Sequence, residues 1–124
     1  MANVSNTDDE TGQLLRSNWY RSLNEISDLS LQRRMWLDPN NTNPHWSYIE
    51  FVCSYPDDDQ LHDAREKRWL SADEAKILMN FGRALLTYES PHGNDFDNEA
   101  ILNDPAWHMI VRAAQLAAQE LDAL

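Results

Sequence analysis

The stretch Ser71–Tyr88, with the sequence SADEAKILMNFGRALLTY, decides the fold. It opens with a capping box, because Ser71 can cap a first helical turn and Glu74 follows three residues later. Its later polar positions repeat at helical spacing and form one narrow stripe: Lys76, Asn80, Arg83 and Thr87. A helix that is apolar on nearly every other side is surrounded by neighbours. We therefore predict a central helix over residues 72–89.

The C-terminal segment predicts a second packed helix. Asp104 and Pro105 suit the N-cap and the first helical position. Apolar residues then recur at helical spacing from Trp107 to Leu121, and the alanines among them allow close helix packing.

The N-terminal segment predicts a polar arm followed by helices. Residues 1–10 are polar and acidic, and we expect them to form a disordered arm. A helix should begin near Thr11, because four apolar residues then share one face: Leu15, Trp19, Leu23 and Ile26. Ser27 or Asp28 can cap a second stretch, which ends at Asp38-Pro39. The pattern leaves open whether the two stretches form one kinked helix.

Residues 45–55 are ambiguous between strand and helix. Their aromatic and β-branched side chains favour a strand. The sequence offers no convincing second strand, however, and a lone strand leaves its backbone donors unpaired. Trp46, Ile49 and Cys53 also fit one helical face, so we predict a helix. Cys53 is the single cysteine and has apolar neighbours, which predicts a buried structural thiol.

Turn formers separate these segments. We expect residues 38–44 to form a loop. Asp57–Asp59 follow a proline and should start another helix, because acidic residues in a first turn complement the helix dipole. The fold class that results is all-α: a compact bundle of about five or six helices around one core. It forms a single domain over residues 11–124 after the arm.

The charge narrows the possible partners. The 124 residues include 21 acidic and 10 basic ones, for a formal net charge of −11. Such a field repels nucleic-acid backbones and anionic membranes and attracts a basic protein. We find no signal peptide and no apolar run of transmembrane length. We therefore expect a cytoplasmic protein with a basic protein partner.

Motifs for catalysis or cofactor binding are absent from the sequence. The four histidines form no pair at the spacing that places two imidazoles on one helix face. An EF-hand match starting at Asp95 lacks the glycine at position six and the glutamate at position twelve. There is no nucleophile elbow and no glycine-rich phosphate loop. We predict no cofactor and no metal, and we favour binding over catalysis.

Acidic residues gather in two places, at 57–59 and at 89–104, and aromatic residues lie beside loops. If the fold brings the two acidic segments to one end, the protein presents an acidic surface flanked by aromatic anchors. The leading hypothesis is a module that neutralises or regulates a basic partner. This profile is similar to that of small acidic bacterial immunity proteins and inhibitors. The predicted partner-binding residues are Asp57, Asp58, Asp59, Asp95, Asp97, Glu99, Trp36, Trp46 and Tyr55.

Two alternatives remain open. One is a small helical enzyme or ligand-binding protein with a pocket between helices, which would combine His45, His62 or His108 with carboxylates. The other is a homodimeric structural or adaptor protein whose apolar helix faces form the seam.

Overall fold

The computed structural model describes the backbone of residues 3–124 and the side chains of residues 9–124. Over this part of the chain the fold is all-α and has no strand, as the sequence predicts. Six helices have seven residues or more, and a one-turn helix and a short 3-10 turn join the last two of them. The helices are α1 (Asn3–Ile26), α2 (Leu29–Trp36), α3 (Tyr48–Ser54), α4 (Asp58–Glu66), α5 (Ala72–Thr87), α6 (Asn98–Leu102) and α7 (Pro105–Asp122).

Side-chain caps determine where the helices start. Every helix from α2 to α7 is preceded by a residue whose side chain accepts a hydrogen bond from the first turn. Asp57 and Ser71 form complete capping boxes, with Gln60 and Glu74 as their reciprocal partners. Each cap satisfies an amide that the helix itself leaves unpaired. The predicted helix starts at residues 28, 57, 71 and 104 are therefore confirmed.

The N-terminal helix is longer than predicted. α1 begins at Asn3 instead of near Thr11, so most of the segment that we expected to be disordered is helical. Residues 1 and 2 lie outside the described part of the chain. Extending an existing helix adds one hydrogen bond per residue at no nucleation cost, and this offsets the lack of apolar residues. α1 ends at Ile26, and Asp28 caps a separate α2.

Gln32 holds the junction between α1 and α2. Its Nε2 donates to the carbonyl oxygens of Glu25 and Ile26, both at 2.9 Å, and its Oε1 accepts from the indole Nε1 of Trp107 at 2.9 Å. Its side chain is fully buried. These bonds give the Ile26 carbonyl oxygen a partner, add a second donor to the Glu25 carbonyl, which also accepts from Asp28 N, and attach α7 to the junction.

α3 confirms the predicted helix but turns a different face inward. Tyr48, Phe51 and Tyr55 are buried, at spacings of three and four residues, whereas Cys53 is exposed. The prediction of a buried thiol was wrong. Two residues along a helix correspond to a rotation of about 200°, so Cys53 points away once Phe51 faces the core. The larger aromatic side chains bury more apolar area and decide the orientation.

The core is centred on Trp107, which is fully buried. Its ring lies 5.4 Å from Tyr48, 5.2 Å from Tyr88 and 6.0 Å from Trp36 between centroids. The predicted core positions Trp19, Leu23 and Ile26 are likewise buried. α5 packs against α4 and α7, and its predicted stripe of Lys76, Asn80, Arg83 and Thr87 is exposed.

Two close contacts complete the fold. α4 ends in a Schellman motif, in which Trp69 N donates to Ala64 O at 2.9 Å and Arg68 N to Arg65 O at 3.0 Å. Arg68 occupies the left-handed position of this motif with a φ of 61°. Trp69 then lies against α1 at Gly12, where an added Cβ would approach its Cδ1 to 2.3 Å. Glycine at this position lets the indole contact the helix backbone.

Candidate functional site

Two grooves flank α3, and they divide the predicted partner-binding residues between them. The first, which we call the acidic groove, lies between the end of α3, the start of α4 and the second half of α5, with a volume of about 460 Å³. Apolar residues and three consecutive carboxylates line it: Val52, Tyr55, Pro56, Asp57, Asp58, Asp59, Gly82, Leu85 and Leu86.

Tyr55 connects α3 to α5 beneath the acidic groove. Its hydroxyl donates to the carbonyl oxygen of Leu78 at 2.6 Å, and its ring packs edge-on against Phe81 at 5.3 Å between centroids. Burial raises the pKa of Tyr55 above its usual value. The side chain is buried, so it supports the groove from within. Its predicted use as an exposed anchor does not match this position, because the ring is already packed in the core.

The three aspartates of the acidic groove make different contacts. Asp57 caps α4 through a 2.8 Å bond from Gln60 N, and Asp58 pairs with Arg83 at 3.3 Å. Asp59 is exposed in the first turn of α4. Beside them, Leu86 exposes 78% of its surface. The rim therefore offers a partner both negative charge and an apolar contact.

The second groove, which we call the aromatic groove, lies at the start of α3, with a volume of about 380 Å³. The loop of residues 38–47, the first turn of α3 and residues 95–98 enclose it. Trp36 belongs to its lining. The lining also contains two further aromatic side chains, Trp46 and Phe96, and three carboxylates, those of Asp38, Glu50 and Asp95. Phe96 exposes 83% of its surface.

Consecutive Asx turns hold the loop that forms the aromatic groove. Asp38 Oδ1 accepts from Asn40 N at 2.9 Å, Asn41 Oδ1 from Asn43 N at 2.9 Å, and Asn43 Oδ1 from His45 N at 3.1 Å. On the facing side, the hydroxyl of Ser90 donates to Asp95 at 2.5 Å. Such local bonds fix the backbone without regular secondary structure. The groove is therefore largely formed before any ligand arrives.

Trp36 and Trp46 take different places in the aromatic groove. Trp36 is buried against Phe51 and Trp107 and forms the inner wall, so it is not the exposed anchor that we predicted. Its indole Nε1 is buried without a hydrogen-bond partner in the described structure. Trp46 is half-buried, and His45 packs edge-on against it at 4.7 Å between centroids.

The predicted residues of the second acidic segment do not all reach a groove. Asp95 lines the aromatic groove. Asp97 caps α6 through a 3.1 Å bond from Ala100 N, and Glu99 is exposed in the first turn of α6. Asp97 and Glu99 line neither of the two grooves. The acidic residues of the sequence hypothesis are therefore divided between the acidic groove, the aromatic groove and α6.

The histidines occupy separate environments. Nε2 of His45 lies 3.1 Å from both carboxylate oxygens of Glu25. His108 Nε2 lies 2.6 Å from the carbonyl oxygen of Leu102, and His62 is exposed on α4. Within the part of the chain that the structure describes, no three of the His, Cys, Asp and Glu side chains cluster in a way that could hold a metal.

Sequence reasoning missed four residues that shape the sites. Glu50, Phe96 and Leu86 line the grooves, and Gln32 organises the core beneath them. The apolar run of α5 contains Leu86, and helical spacing alone does not show that this one position lacks a neighbour. Phe96 stands alone between polar loop residues. An isolated aromatic residue in a polar loop was the available signal for it.

No protein-family model, no curated protein and no solved structure gives a significant match to this chain. Between residues 3 and 124, no helix combines the length and the hydropathy of a membrane-crossing segment.

Proposed function

We propose that this protein is a cytoplasmic binding module that docks a basic partner protein in the acidic groove and thereby neutralises or regulates it. One observation supports this proposal above the others. Three consecutive aspartates line the rim of an apolar groove at which Leu86 is largely exposed. An apolar contact inside a charged rim is typical of protein interfaces. The role is the one that an inhibitor or a bacterial immunity protein performs.

The overall charge supports the same partner. A net charge of −11 accelerates the encounter with a basic protein and repels acidic ones. Arg83 pairs with Asp58 at the rim, so the local charge is lower than the three aspartates alone would give. Asp59 has no hydrogen bond or ion pair among the described contacts, which makes its carboxylate available to a partner.

The partner can be captured by a photocrosslinking residue at position 86. The control places the same residue at Met109, which is 73% exposed on α7 and lines neither groove. In cells of the source organism, position 86 should capture a basic protein that position 109 does not. An acidic or neutral protein captured specifically at position 86 contradicts the proposal.

The captured protein is then purified and its association rate is measured at several salt concentrations. Asp59→Lys should slow association several-fold at low salt, and the difference should shrink as salt is added. The matched control is Asp73→Lys, because Asp73 holds the same first-turn position in α5, is also exposed, and lies outside both grooves. Equal rates for the two variants would refute docking in the acidic groove.

A second candidate function is the binding of a small ligand beside His45. The pair of His45 and Glu25 lines a pocket of about 380 Å³ with Ser22, whose buried hydroxyl has no hydrogen-bond partner among the described residues. A polar pocket with an unpaired hydroxyl is typical of a ligand site. Ligand-observed NMR with a library of small polar molecules tests it. Hits that bind the wild type and not His45→Asn would support this function.

A further inference from the structure

A further pocket brings together basic side chains of α4 and α5. This basic pocket, as we call it, has a volume of about 400 Å³, and three of the 10 basic residues of the chain line it: Arg65, Lys76 and Arg83. Asp73 contributes the one carboxylate among the described residues that line it. The chain as a whole has 21 acidic residues against 10 basic ones. The balance of charge is therefore reversed in this pocket.

Helix electrostatics explains only part of this cluster. Arg65 lies in the last turn of α4, where a cation complements the helix dipole. Lys76 follows the first turn of α5, near the positive end of that helix, where the dipole does not stabilise a cation. Arg83 pairs with Asp58 at 3.3 Å, whereas no hydrogen bond or ion pair among the described residues involves the Arg65 guanidinium or the Lys76 ammonium. These two cations are therefore available to a ligand.

Further donors and an apolar side chain complete the basic pocket. His62 lies one turn before Arg65 on α4, and Asn80 lies one turn after Lys76 on α5. The imidazole and the amide each offer at least one N–H donor. All four of these residues are exposed, so an incoming ligand can reach them. Met79 also lines the pocket, is half-buried, and offers an apolar contact.

We infer that the basic pocket binds a phosphate group, with Arg65 and Lys76 as its charged contacts and with His62 and Asn80 as further donors. A phosphate monoester has a charge of about −1.5 to −2 near pH 7 and three strong acceptor oxygens, so it matches two cations and several N–H groups. A carboxylate has one charge and two oxygens, which leaves part of this donor set unused. A volume of about 400 Å³ is within the range of small-molecule sites and leaves room for an organic part beside Met79.

This site goes beyond the proposed function and does not depend on it. The basic pocket shares no lining residue with the acidic groove or the aromatic groove. The net charge of −11 opposes an anion at long range, but salt screens that repulsion, while charge-assisted hydrogen bonds act at short range. Phosphate binding at physiological salt therefore rests on the direct contacts in the pocket.

The test compares three small anions: phenyl phosphate, inorganic phosphate and benzoate. Each is titrated into the ¹⁵N-labelled full-length protein in a phosphate-free buffer, and the assigned Nε–H signal of Arg65 and side-chain amide signal of Asn80 are followed. Phenyl phosphate should shift both signals saturably and bind at least about fivefold more tightly than benzoate, which has the same ring and one carboxylate. Equal affinity for these two, or signals that none of the three anions moves, would overturn the inference.

Inorganic phosphate identifies the source of the phosphate group. If it binds at least as tightly as phenyl phosphate, the ligand is the free ion. If it binds more weakly, the ligand is a phosphorylated organic molecule whose remaining part contacts the pocket. Both results support a phosphate site.

Variants connect the binding to the basic pocket. Arg65→Gln and Lys76→Gln should each weaken phenyl phosphate several-fold, whereas Arg34→Gln, which removes the same charge at an exposed position of α2 outside the pocket, should leave the affinity nearly unchanged. Asp73→Asn should strengthen binding, because it removes the carboxylate that repels the ligand. A gain in affinity cannot result from a loss of folding. Equal effects of the three arginine and lysine variants, or an affinity that Asp73→Asn does not raise, would contradict the assignment.

Discussion

The indole Nε1 of Trp107 donates a 2.9 Å hydrogen bond to Oε1 of Gln32, and both side chains are fully buried. The amide group of Gln32 meanwhile donates to two carbonyl oxygens at the end of α1. One polar side chain thus joins α1, α2 and α7 inside an otherwise apolar core. The Trp107 N–H and the Ile26 carbonyl oxygen depend on it, so the network stabilises the fold only while it is complete.

Gln32→Leu should reduce the free energy of unfolding by about 2–4 kcal/mol, because it leaves the Trp107 N–H and the Ile26 carbonyl oxygen without partners. Chemical denaturation followed by circular dichroism measures this. Gln119→Leu, at an exposed position on α7, is the matched control and should change stability by less than about 0.5 kcal/mol. Similar losses for both variants would contradict the assigned role of Gln32.

Arg68→Gly should stabilise the protein by about 0.5–1 kcal/mol. Arg68 sits at the left-handed position of the Schellman motif with a φ of 61°, where a residue with a Cβ pays a conformational penalty. Arg68→Ala removes the same charge and keeps the Cβ, so it separates the two effects. The glycine variant should have the higher midpoint in urea. If alanine stabilises as much as glycine, the gain comes from the charge and not from the backbone.

Gly12→Ala should destabilise the protein by about 1–3 kcal/mol, since the added methyl group would overlap the ring of Trp69. The cost should largely vanish in a Trp69→Ala background, where the obstacle is gone. A double-mutant cycle in thermal or chemical denaturation gives this coupling. Independent, additive effects would mean that Trp69 does not lie against Gly12 in solution.

The free energy of unfolding should depend on pH through the hydrogen bonds that join Glu74 of α5 to Arg16 and Tyr20 of α1. Glu74 accepts from Arg16 at 2.6 Å, from Tyr20 and from Ser71 N. Burial alone would raise the pKa of Glu74, but these bonds outweigh it and lower the pKa. The resulting stability is present above the unfolded pKa of about 4.5 and is lost as the pH falls through the folded value. Glu74→Gln should therefore show a smaller loss of stability on acidification.

Tyr20 should make the protein less stable as the pH rises, which is the opposite pH dependence to that of Glu74. Burial, and then the carboxylate of Glu74, raise the pKa of Tyr20 from 10.0 to about 12. The stability that Tyr20 contributes is complete below pH 10 and is lost as the pH rises toward 12, where the half-buried phenol ionises. Tyr20→Phe should unfold at a higher pH than the wild type in alkaline titration. An unchanged alkaline midpoint would show that another group controls that transition.

The helical frame could be predicted from the sequence because its signals are local. Caps at Asp28, Asp57, Ser71 and Asp104 act within one turn, and the apolar face of α1 repeats along one helix. Which side of α3 turns inward could not be predicted in this way. That choice depends on how Tyr48 and Phe51 fit against Tyr88, Trp36 and Trp107, which are distant in sequence.

The arrangement of the residues that line the two grooves could not be predicted from the sequence. The charge pattern marks the aspartates, but it does not distinguish a carboxylate that caps a helix, such as Asp57 or Asp97, from one that faces solvent, such as Asp59. The two roles differ only in whether an unpaired amide lies within reach. The position of Leu86 and Phe96 beside these acids depends on tertiary packing between elements.

The exposed thiol of Cys53 has a practical consequence. It is the only cysteine in the chain, and it stands on α3 one residue after Val52, which lines the acidic groove. The unmodified chain therefore accepts a single maleimide fluorophore at a known position, with no background cysteine to remove. Because the start of this two-turn helix lines the aromatic groove and its end lines the acidic groove, the dye would lie close enough to each to respond when either is filled.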